Sequence, residues 1–156
     1  MSLFSPTLRS RTGSLLVLLQ FGLLTGLGFL AAPQAMQGHI TLKCWVLLAL
    51  SGLLGGWTLR HNRLGNFNVH PEPKASGVMV TSGPYRLIRH PMYTTVLLGS
   101  AAMACVADQG LAWLLCVALF AVLLAKSSLE EHWLGEHYAA YASYCQCSKR
   151  FVPWVF

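Results

Sequence analysis

The sequence has few charged residues for its length. Asp, Glu, Lys and Arg make up only 10% of its 156 residues, whereas soluble domains average about 25%. Hydrophobic residues make up 54% of the chain. A charge content this low excludes an ordinary soluble globular domain, and the length fits one compact domain. The composition therefore predicts a single membrane domain over residues 1–156.

Acidic residues are the scarcer of the two charge signs. Five Asp and Glu stand against eleven Lys and Arg, which gives a formal net charge of +6. The basic residues form neither a run nor a face, and they lie between apolar segments, as membrane topology requires. We therefore expect no nucleic-acid partner.

Cysteine spacing gives no disulfide or metal framework. The five cysteines are an odd number, and Cys145-Gln-Cys147 lacks the two-residue gap of a redox or zinc motif. The cysteines within apolar runs behave as small hydrophobic residues. We interpret all five as free thiols, with lipidation of Cys145 or Cys147 near the membrane surface as an alternative.

Several motifs that carry chemistry are missing. The sequence has no GxSxG, no HExxH and no phosphate-binding glycine loop. His70, His90, His132 and His137 could be considered as a metal set, but His132 and His137 are five residues apart, which suits one ion on a helix poorly. No metal site is predicted.

Four apolar runs are present, at about residues 15–32, 40–59, 91–107 and 111–125. Ala31-Ala32 resembles a signal-peptide cleavage site, but the first run fits the ~20 residues of a spanning helix better than an h-region of about 7–15 residues. The last run continues without a helix breaker, so its helix is expected to reach about residue 144. Gly22-x-x-x-Gly26 and Gly52-x-x-x-Gly56 indicate either close helix contacts or simply common membrane glycines.

These runs predict an all-α integral membrane fold of about four transmembrane helices, with a cytoplasmic loop and a C-terminal helical extension. Residues 1–60 form two N-terminal helices, and residues 61–156 form a core of polar loop, helical hairpin and tail. Val78-Met79-Val80 is expected to be a short extended piece of that loop.

Counting Lys and Arg orients the predicted helices. Ten of the eleven fall on one side of the membrane, and only Lys43 falls on the other. The positive-inside rule then predicts a multi-pass protein of the inner or cell membrane, with both termini and the 60–91 loop in the cytoplasm. The ten are Arg9, Arg11, Arg60, Arg63, Lys74, Arg86, Arg89, Lys126, Lys149 and Arg150.

The segment of residues 82–93, Ser-Gly-Pro-Tyr-Arg-Leu-Ile-Arg-His-Pro-Met-Tyr, is the richest in polar chemistry. A helix that begins at Pro91 places Arg89 and His90 at its N-terminus, where free N–H groups and the helix dipole favour an anion. Glu130 and Glu131 fall on the same side of the membrane. They indicate either a functional site or a solvated helix end with an ordinary ion pair.

These residues also carry a family resemblance. The run from Gly77 to Tyr93, then Glu130-Glu131-x-x-Leu134, Tyr141, Tyr144 and Arg150-Phe-Val-Pro153, resembles the isoprenylcysteine carboxyl methyltransferase family. The related phospholipid methyltransferases share the broad pattern, and the resemblance covers about residues 65–156. It implies an integral membrane enzyme that uses S-adenosylmethionine (SAM) to methylate a lipophilic acceptor at the cytoplasmic face. An isoprenylcysteine-like carboxylate or a related lipid is the implied acceptor, and membrane lipids are implied partners.

The resemblance also implies roles for individual residues. Lys126 occupies the position of an arginine linked to substrate, and a glutamate of the tandem pair contacts the cofactor. Arg89, His90 and Arg150 can meet the SAM carboxylate, and Glu130 its ammonium or ribose. Catalytic roles are thus expected for Lys126, Glu130 and Arg150. The expected cofactor site comprises His70, Gly77, Val78, Met79, Val80, Tyr85, Arg89, His90, Pro91, Met92, Tyr93, Glu130 and Glu131.

Two departures from the family pattern bear on the substrate. Tyr138-Ala139 stands where the family usually has Phe-Gly, and only two helices precede the core. Both weaken the expectation of a prenylated-protein substrate. A phospholipid amine N-methyltransferase, an NADPH-dependent membrane isoprenoid or sterol reductase, and a non-enzymatic membrane scaffold stay open as alternatives.

Overall fold

The chain folds as a bundle of helices. The structure, a computed structural model, describes residues 6–62 and 78–156, and no strand occurs in those two ranges. This confirms the all-α prediction. The helices are α1 (Pro6–Met36), α2 (Leu42–His61), α3 (Pro91–Ala107), α4 (Gly110–His137) and α5 (Tyr141–Cys147), with a short 3₁₀ helix at Gly83–Arg86.

Three helices are long and apolar enough to cross a membrane, namely α1, α2 and α4. The apolar α3 has 17 residues, or about 26 Å at 1.5 Å per residue, a little less than a hydrocarbon core of about 30 Å. It packs against α1, α2 and α4. The chain is therefore an integral membrane protein in which the shortest apolar helix is enclosed by the longer ones.

Small residues hold α2 close to α3. Ser51 Oγ donates a hydrogen bond to the Thr95 carbonyl oxygen at 2.9 Å. A Cβ on Gly55 would lie 3.0 Å from Thr95 Cγ2, so a larger residue there would push the helices apart. Of the four glycines in the two GxxxG pairs, only Gly26 has a neighbour at this range, Leu115 Cδ1 at 3.4 Å. The close approach of α2 to α3 thus occurs at Gly55, which lies outside the two GxxxG pairs.

Two predicted helix ends differ from the structure. The first helix continues through Pro33 to Met36, because Pro33 lies in the last turn and its carbonyl still accepts the Gln37 N–H at 3.2 Å. The fourth helix ends at His137, not near residue 144, because Tyr138 adopts an extended backbone with φ −120° and ψ 112°. The break allows α5 to turn and bury Tyr141.

The C-terminal segment returns to the beginning of α3. Ile88 and Lys149 form an isolated parallel bridge. The Arg89 N–H donates to the Lys149 carbonyl at 2.7 Å, and the His90 N–H donates to the Arg150 carbonyl at 3.1 Å. Phe151 follows and is almost fully buried. Backbone pairing therefore fixes the tail beside the residues that precede α3.

Candidate functional site

Two backbone features determine where α3 begins and how the segment before it is positioned. Pro91 occupies the first helical position, where its missing N–H removes no helix bond, and His90 is the N-cap residue. The preceding 3₁₀ helix begins at Gly83, whose φ of +59° favours glycine. A Cβ on Gly83 would overlap the His61 ring at the end of α2. The segment before α3 is thus seated directly against α2.

Glu131 joins three basic side chains. Its Oε1 accepts hydrogen bonds from Arg89 Nε at 2.8 Å, His90 Nε2 at 3.0 Å and Arg150 Nε at 3.2 Å. Its Oε2 accepts one from Arg150 Nη2 at 2.5 Å. The Glu131 side chain is only 13% exposed. Glu131 therefore ties α4 to the N-terminus of α3 and to the tail, and it is the shared anion of the two arginines.

Glu130 has more solvent and fewer partners. Its Oε2 accepts a hydrogen bond from Tyr93 OH at 2.9 Å and lies 3.5 Å from His90 Nδ1. The Glu130 side chain is 32% exposed, compared with 5% for His90. His90 therefore lies between the two glutamates, with one ring nitrogen facing each, and Glu130 keeps an accessible carboxylate.

Two cations of the cluster have raised pKa values. Burial favours neutral His90, but hydrogen bonds and charge from Glu130 and Glu131 outweigh burial and raise the pKa of His90 above 6.5. Burial also opposes the charge of Arg89, yet its contact with Glu131 raises the pKa of Arg89. Both groups thus favour the charged form beside the paired carboxylates.

Tyrosines surround the cluster as neutral hydroxyls. Tyr144 OH donates to the Tyr85 carbonyl oxygen at 2.6 Å and so links α5 to the 3₁₀ helix. Burial is the main reason that the pKa of Tyr144 rises to about 12. Burial and the charge of Glu130 also raise the pKa of Tyr85. These tyrosines stay protonated at neutral pH and offer donors and aromatic faces.

A second polar contact lies deeper in the bundle. Lys126 is 2% exposed, and its Nζ donates to Gln20 Oε1 of α1 at 2.7 Å. The same Nζ lies 5.2 Å from the centre of the Tyr93 ring, within cation–π range. Tyr93 thus connects Lys126 to Glu130. Sequence reasoning missed Gln20, although it is a lone amide in a long apolar run.

The structure brings together Arg89, His90, Tyr93, Glu130, Glu131 and Arg150, with Lys126 adjacent through Tyr93. Of the other expected site residues, Pro91 is buried, Tyr85 and Met92 are half-buried, and Val78 is exposed. Met79 and Val80 are half-buried and not in a strand, so the extended piece expected there is not a sheet element. His70 and Gly77 lie outside the described residues.

Metal-binding side chains do not cluster in residues 6–62 and 78–156, where no group of three or more His, Cys, Asp or Glu is arranged to hold an ion. His132 Nε2 instead lies 3.4 Å from Glu136 Oε1 on the same helix. The side chains that meet at the site are carboxylates, an imidazole, guanidinium groups and a phenol.

A buried ionic cluster at one end of a hydrophobic helix bundle defines a membrane protein with an enzyme-like polar site. The phospholipid methyltransferase family model matches residues 41–141, more than half of the chain, and the chain belongs to this family. Membership confirms the family resemblance found in the sequence. The match includes Glu130 and Glu131, whereas Arg150 lies beyond it.

One curated relative is the cobalt-zinc-cadmium resistance protein CzcN of Cupriavidus metallidurans. It is 29% identical to this chain over 112 residues, which cover 70% of this chain and 51% of the relative. The chain thus spans about half the length of that relative. No solved structure matches the chain.

Proposed function

We propose that this chain transfers a methyl group from SAM to a lipophilic acceptor at the cytoplasmic face of the membrane. The observation that carries the proposal is the contrast between Glu130 and Glu131. Glu131 is neutralised by Arg89 and Arg150, whereas Glu130 is one third exposed and bound mainly through Tyr93. A partly satisfied carboxylate in a family-matched core is suited to a cationic ligand group.

The residues fit SAM by their chemistry. SAM supplies an electrophilic methyl group on a sulfonium sulfur when it is bound. Glu130 can accept hydrogen bonds from an ammonium or from ribose hydroxyls, while Arg89 and Arg150 give the site the positive charge that a carboxylate needs. The faces of Tyr85 and Tyr93 suit an adenine or a sulfonium. The remaining expected cofactor residues within the described ranges, Val78, Met79, Val80, Pro91 and Met92, are proposed to line the same site.

The side chains mainly position and desolvate the reactants. Methyl transfer is an in-line displacement, so alignment and exclusion of water supply most of the acceleration. A carboxylate or thiolate acceptor needs no base. With an amine acceptor, Glu130 can receive the proton, because it is the more exposed carboxylate of the pair. The tail residue Phe151, packed beside His90 and Tyr93, closes the site on one side.

We further propose that Gln20 and Lys126 lie in the part of the site that binds the methyl acceptor. A lysine this buried in a membrane helix is costly unless it serves a site. Lys126 Nζ has three donors, and Gln20 accepts one of them at 2.7 Å. The remaining donors can bind an anionic or carbonyl oxygen of an acceptor that enters from the lipid between α1 and α4. Replacing Lys126 with Met should then raise the KM for the acceptor while leaving SAM affinity nearly unchanged.

Binding of S-adenosylhomocysteine to the purified protein tests the cofactor assignment. Glu130→Gln keeps the size of the side chain and removes its charge, and a charged hydrogen bond contributes about 1.5–3 kcal/mol. The variant should therefore bind roughly 10–100-fold more weakly in isothermal titration calorimetry.

Glu136→Gln is the matched control, since Glu136 lies on the same helix beyond the cluster, is 43% exposed and pairs with His132. It should bind like the wild type. Equal affinity of the Glu130 and Glu136 variants for S-adenosylhomocysteine would refute the proposed role of Glu130. Failure of the wild type to bind S-adenosylhomocysteine would refute the assignment of SAM as the cofactor.

A further inference from the structure

Two thiols meet at the end of the bundle remote from the ionic cluster. Cys44 lies in the first turn of α2, and Cys105 lies near the end of α3. Their Sγ atoms are 2.7 Å apart, closer than the 3.5–4.0 Å or so at which non-bonded heavy atoms usually pack. Both are free cysteines. The two sulfur atoms are thus already in mutual contact across a helix–helix interface.

The site around the two sulfur atoms has one accessible side. Cys44 is buried, whereas Cys105 is partly exposed. Thr41 Oγ1 lies 3.1 Å from Cys44 Sγ and 3.9 Å from Cys105 Sγ, and Thr41 itself is exposed. A reagent from solution can therefore reach Cys105 first, and Cys44 lies directly behind it.

The other cysteines lack this arrangement. Cys116 Sγ contacts Ser100 Oγ at 3.4 Å. Cys145 and Cys147 lie on α5 two residues apart, and residues at this spacing on a helix point to different faces. In the described part of the chain, Cys44 and Cys105 are the cysteines whose sulfur atoms are in contact.

The predicted membrane orientation places Cys44 and Cys105 on the side of an oxidising compartment. The ionic cluster occupies the N-terminal end of α3, so Cys105 near its other end faces the opposite side. Lys43, beside Cys44, is the single basic residue that the sequence assigns to that side. With the cluster in the cytoplasm, the thiols face the non-cytoplasmic compartment, where disulfides form and persist.

We propose that Cys44 and Cys105 are a redox-modified pair that forms a disulfide between α2 and α3. A disulfide-type oxidant, such as oxidised glutathione or a thiol–disulfide oxidoreductase, is reduced to two thiols in the process. Cys105 attacks it first and forms a mixed disulfide with release of one thiol. Cys44 then displaces the second thiol and forms the Sγ–Sγ bond, and the two cysteine protons leave with the reduced thiols.

The Cys44–Cys105 disulfide would lie at the end of α3 opposite the candidate site. It would join α2 to α3 on the same interface as the Ser51–Thr95 hydrogen bond, so the two helices could no longer separate. This proposal concerns a site distinct from the methyl-transfer cluster, and it shares with the proposed function only the orientation that places that cluster in the cytoplasm.

Alkylation and intact mass spectrometry of the full-length purified protein test the pair. The reduced chain has five alkylatable thiols. After treatment with oxidised glutathione, the wild type should lose two of them without gaining glutathione mass, and peptide mapping should recover a Cys44–Cys105 cross-link. Unfolding of the oxidised protein should occur at a higher temperature, and a reducing agent should reverse this.

Cys44→Ser and Cys105→Ser should each form no intramolecular bridge, while the matched control Cys116→Ser should form it as the wild type does. If a serine variant does not fold, peptide mapping of the wild type alone decides the question. Retention of all wild-type thiols, a bridge between Cys145 and Cys147, or stable glutathione adducts on Cys44 or Cys105 would each overturn the proposal.

Discussion

At the scale of residues, the adjacent glutamates have different surroundings. Glu131 accepts hydrogen bonds from three basic side chains and is 13% exposed. Glu130 is 32% exposed and contacts a tyrosine hydroxyl and the far nitrogen of His90. The sequence identified both glutamates but not their different contacts. Consecutive helix positions point about 100° apart, and only packing decides which side chains each glutamate contacts.

Replacing Glu131 with Gln should destabilise the protein. Arg89 and Arg150, with side chains 12% and 22% exposed, would lose their shared anion. Removing one partner of a buried ion pair costs 3–5 kcal/mol, and partial exposure places this case at about 3. Thermal unfolding in detergent measures the loss. A variant as stable as Glu136→Gln would show that the ion cluster contributes little.

His90 should make stability depend on pH. Its pKa is raised above 6.5 in the folded protein by Glu130 and Glu131, so folding favours the protonated imidazole. The stabilisation is fully present below about pH 6.5, the unfolded value, and is lost as the pH rises through the folded pKa. Tyr93 and Phe151 also pack against this ring.

The measurement is the free energy of unfolding of the wild type minus that of His90→Gln, taken across this pH range. This difference should shrink as the pH increases. A difference that stays constant or grows with pH would contradict a raised pKa for His90.

At the scale of elements, local signals gave the bounds of α3, whereas α1 begins before and ends after its expected range and α4 ends before its own. Pro91 after His90, and the end of the apolar run near residue 107, predicted both bounds of α3. The predicted end of α4 was wrong. Residues 137–140 contain no helix breaker, and the helix ends there because of tertiary packing. The chain must turn there to bury Tyr141 and return the tail to Ile88. The contact between Gln20 and Lys126 was equally out of reach, since 106 residues separate them.

The 3₁₀ helix offers a test of how the segment before α3 is seated. Gly83→Ala would force a side chain into a left-handed backbone, at about 1–2 kcal/mol, and would place its Cβ on the His61 ring. The variant should unfold at a lower temperature and bind S-adenosylhomocysteine more weakly. Gly22→Ala is the control, because its Cβ meets nothing within 4 Å in an ordinary helix. Equal effects of both substitutions would refute the special role of Gly83.

At the scale of the whole molecule, composition and charge predicted a membrane protein, and the helices agree with it. The bundle gathers the ends of α2, α3 and α4 that carry His61, His90 and Glu130 at one side. That grouping follows from the alternation of helix direction and was predictable. The particular contacts among the side chains were not, because they depend on how far each helix is rotated about its axis.

The orientation of the molecule is testable with a thiol reagent that does not cross membranes. Cys147 is exposed near the ionic cluster, and a cysteine introduced at the exposed His39 would mark the loop between α1 and α2. In a background lacking the other cysteines, intact cells should label position 39 and not position 147. Inside-out vesicles should give the reverse. Labelling of Cys147 in intact cells would place the candidate site outside the cytoplasm.

Methyl transfer itself is the most direct test of the proposed function. Membranes containing the protein are incubated with SAM that carries an isotope-labelled methyl group, and the extracted lipids are analysed by mass spectrometry. We predict a labelled lipophilic product with the wild type and with Glu136→Gln, and a strongly reduced amount with Glu130→Gln. Absence of any labelled product above control membranes, from wild-type protein that is folded and supplied with total lipid extract, would contradict the assignment as a membrane methyltransferase.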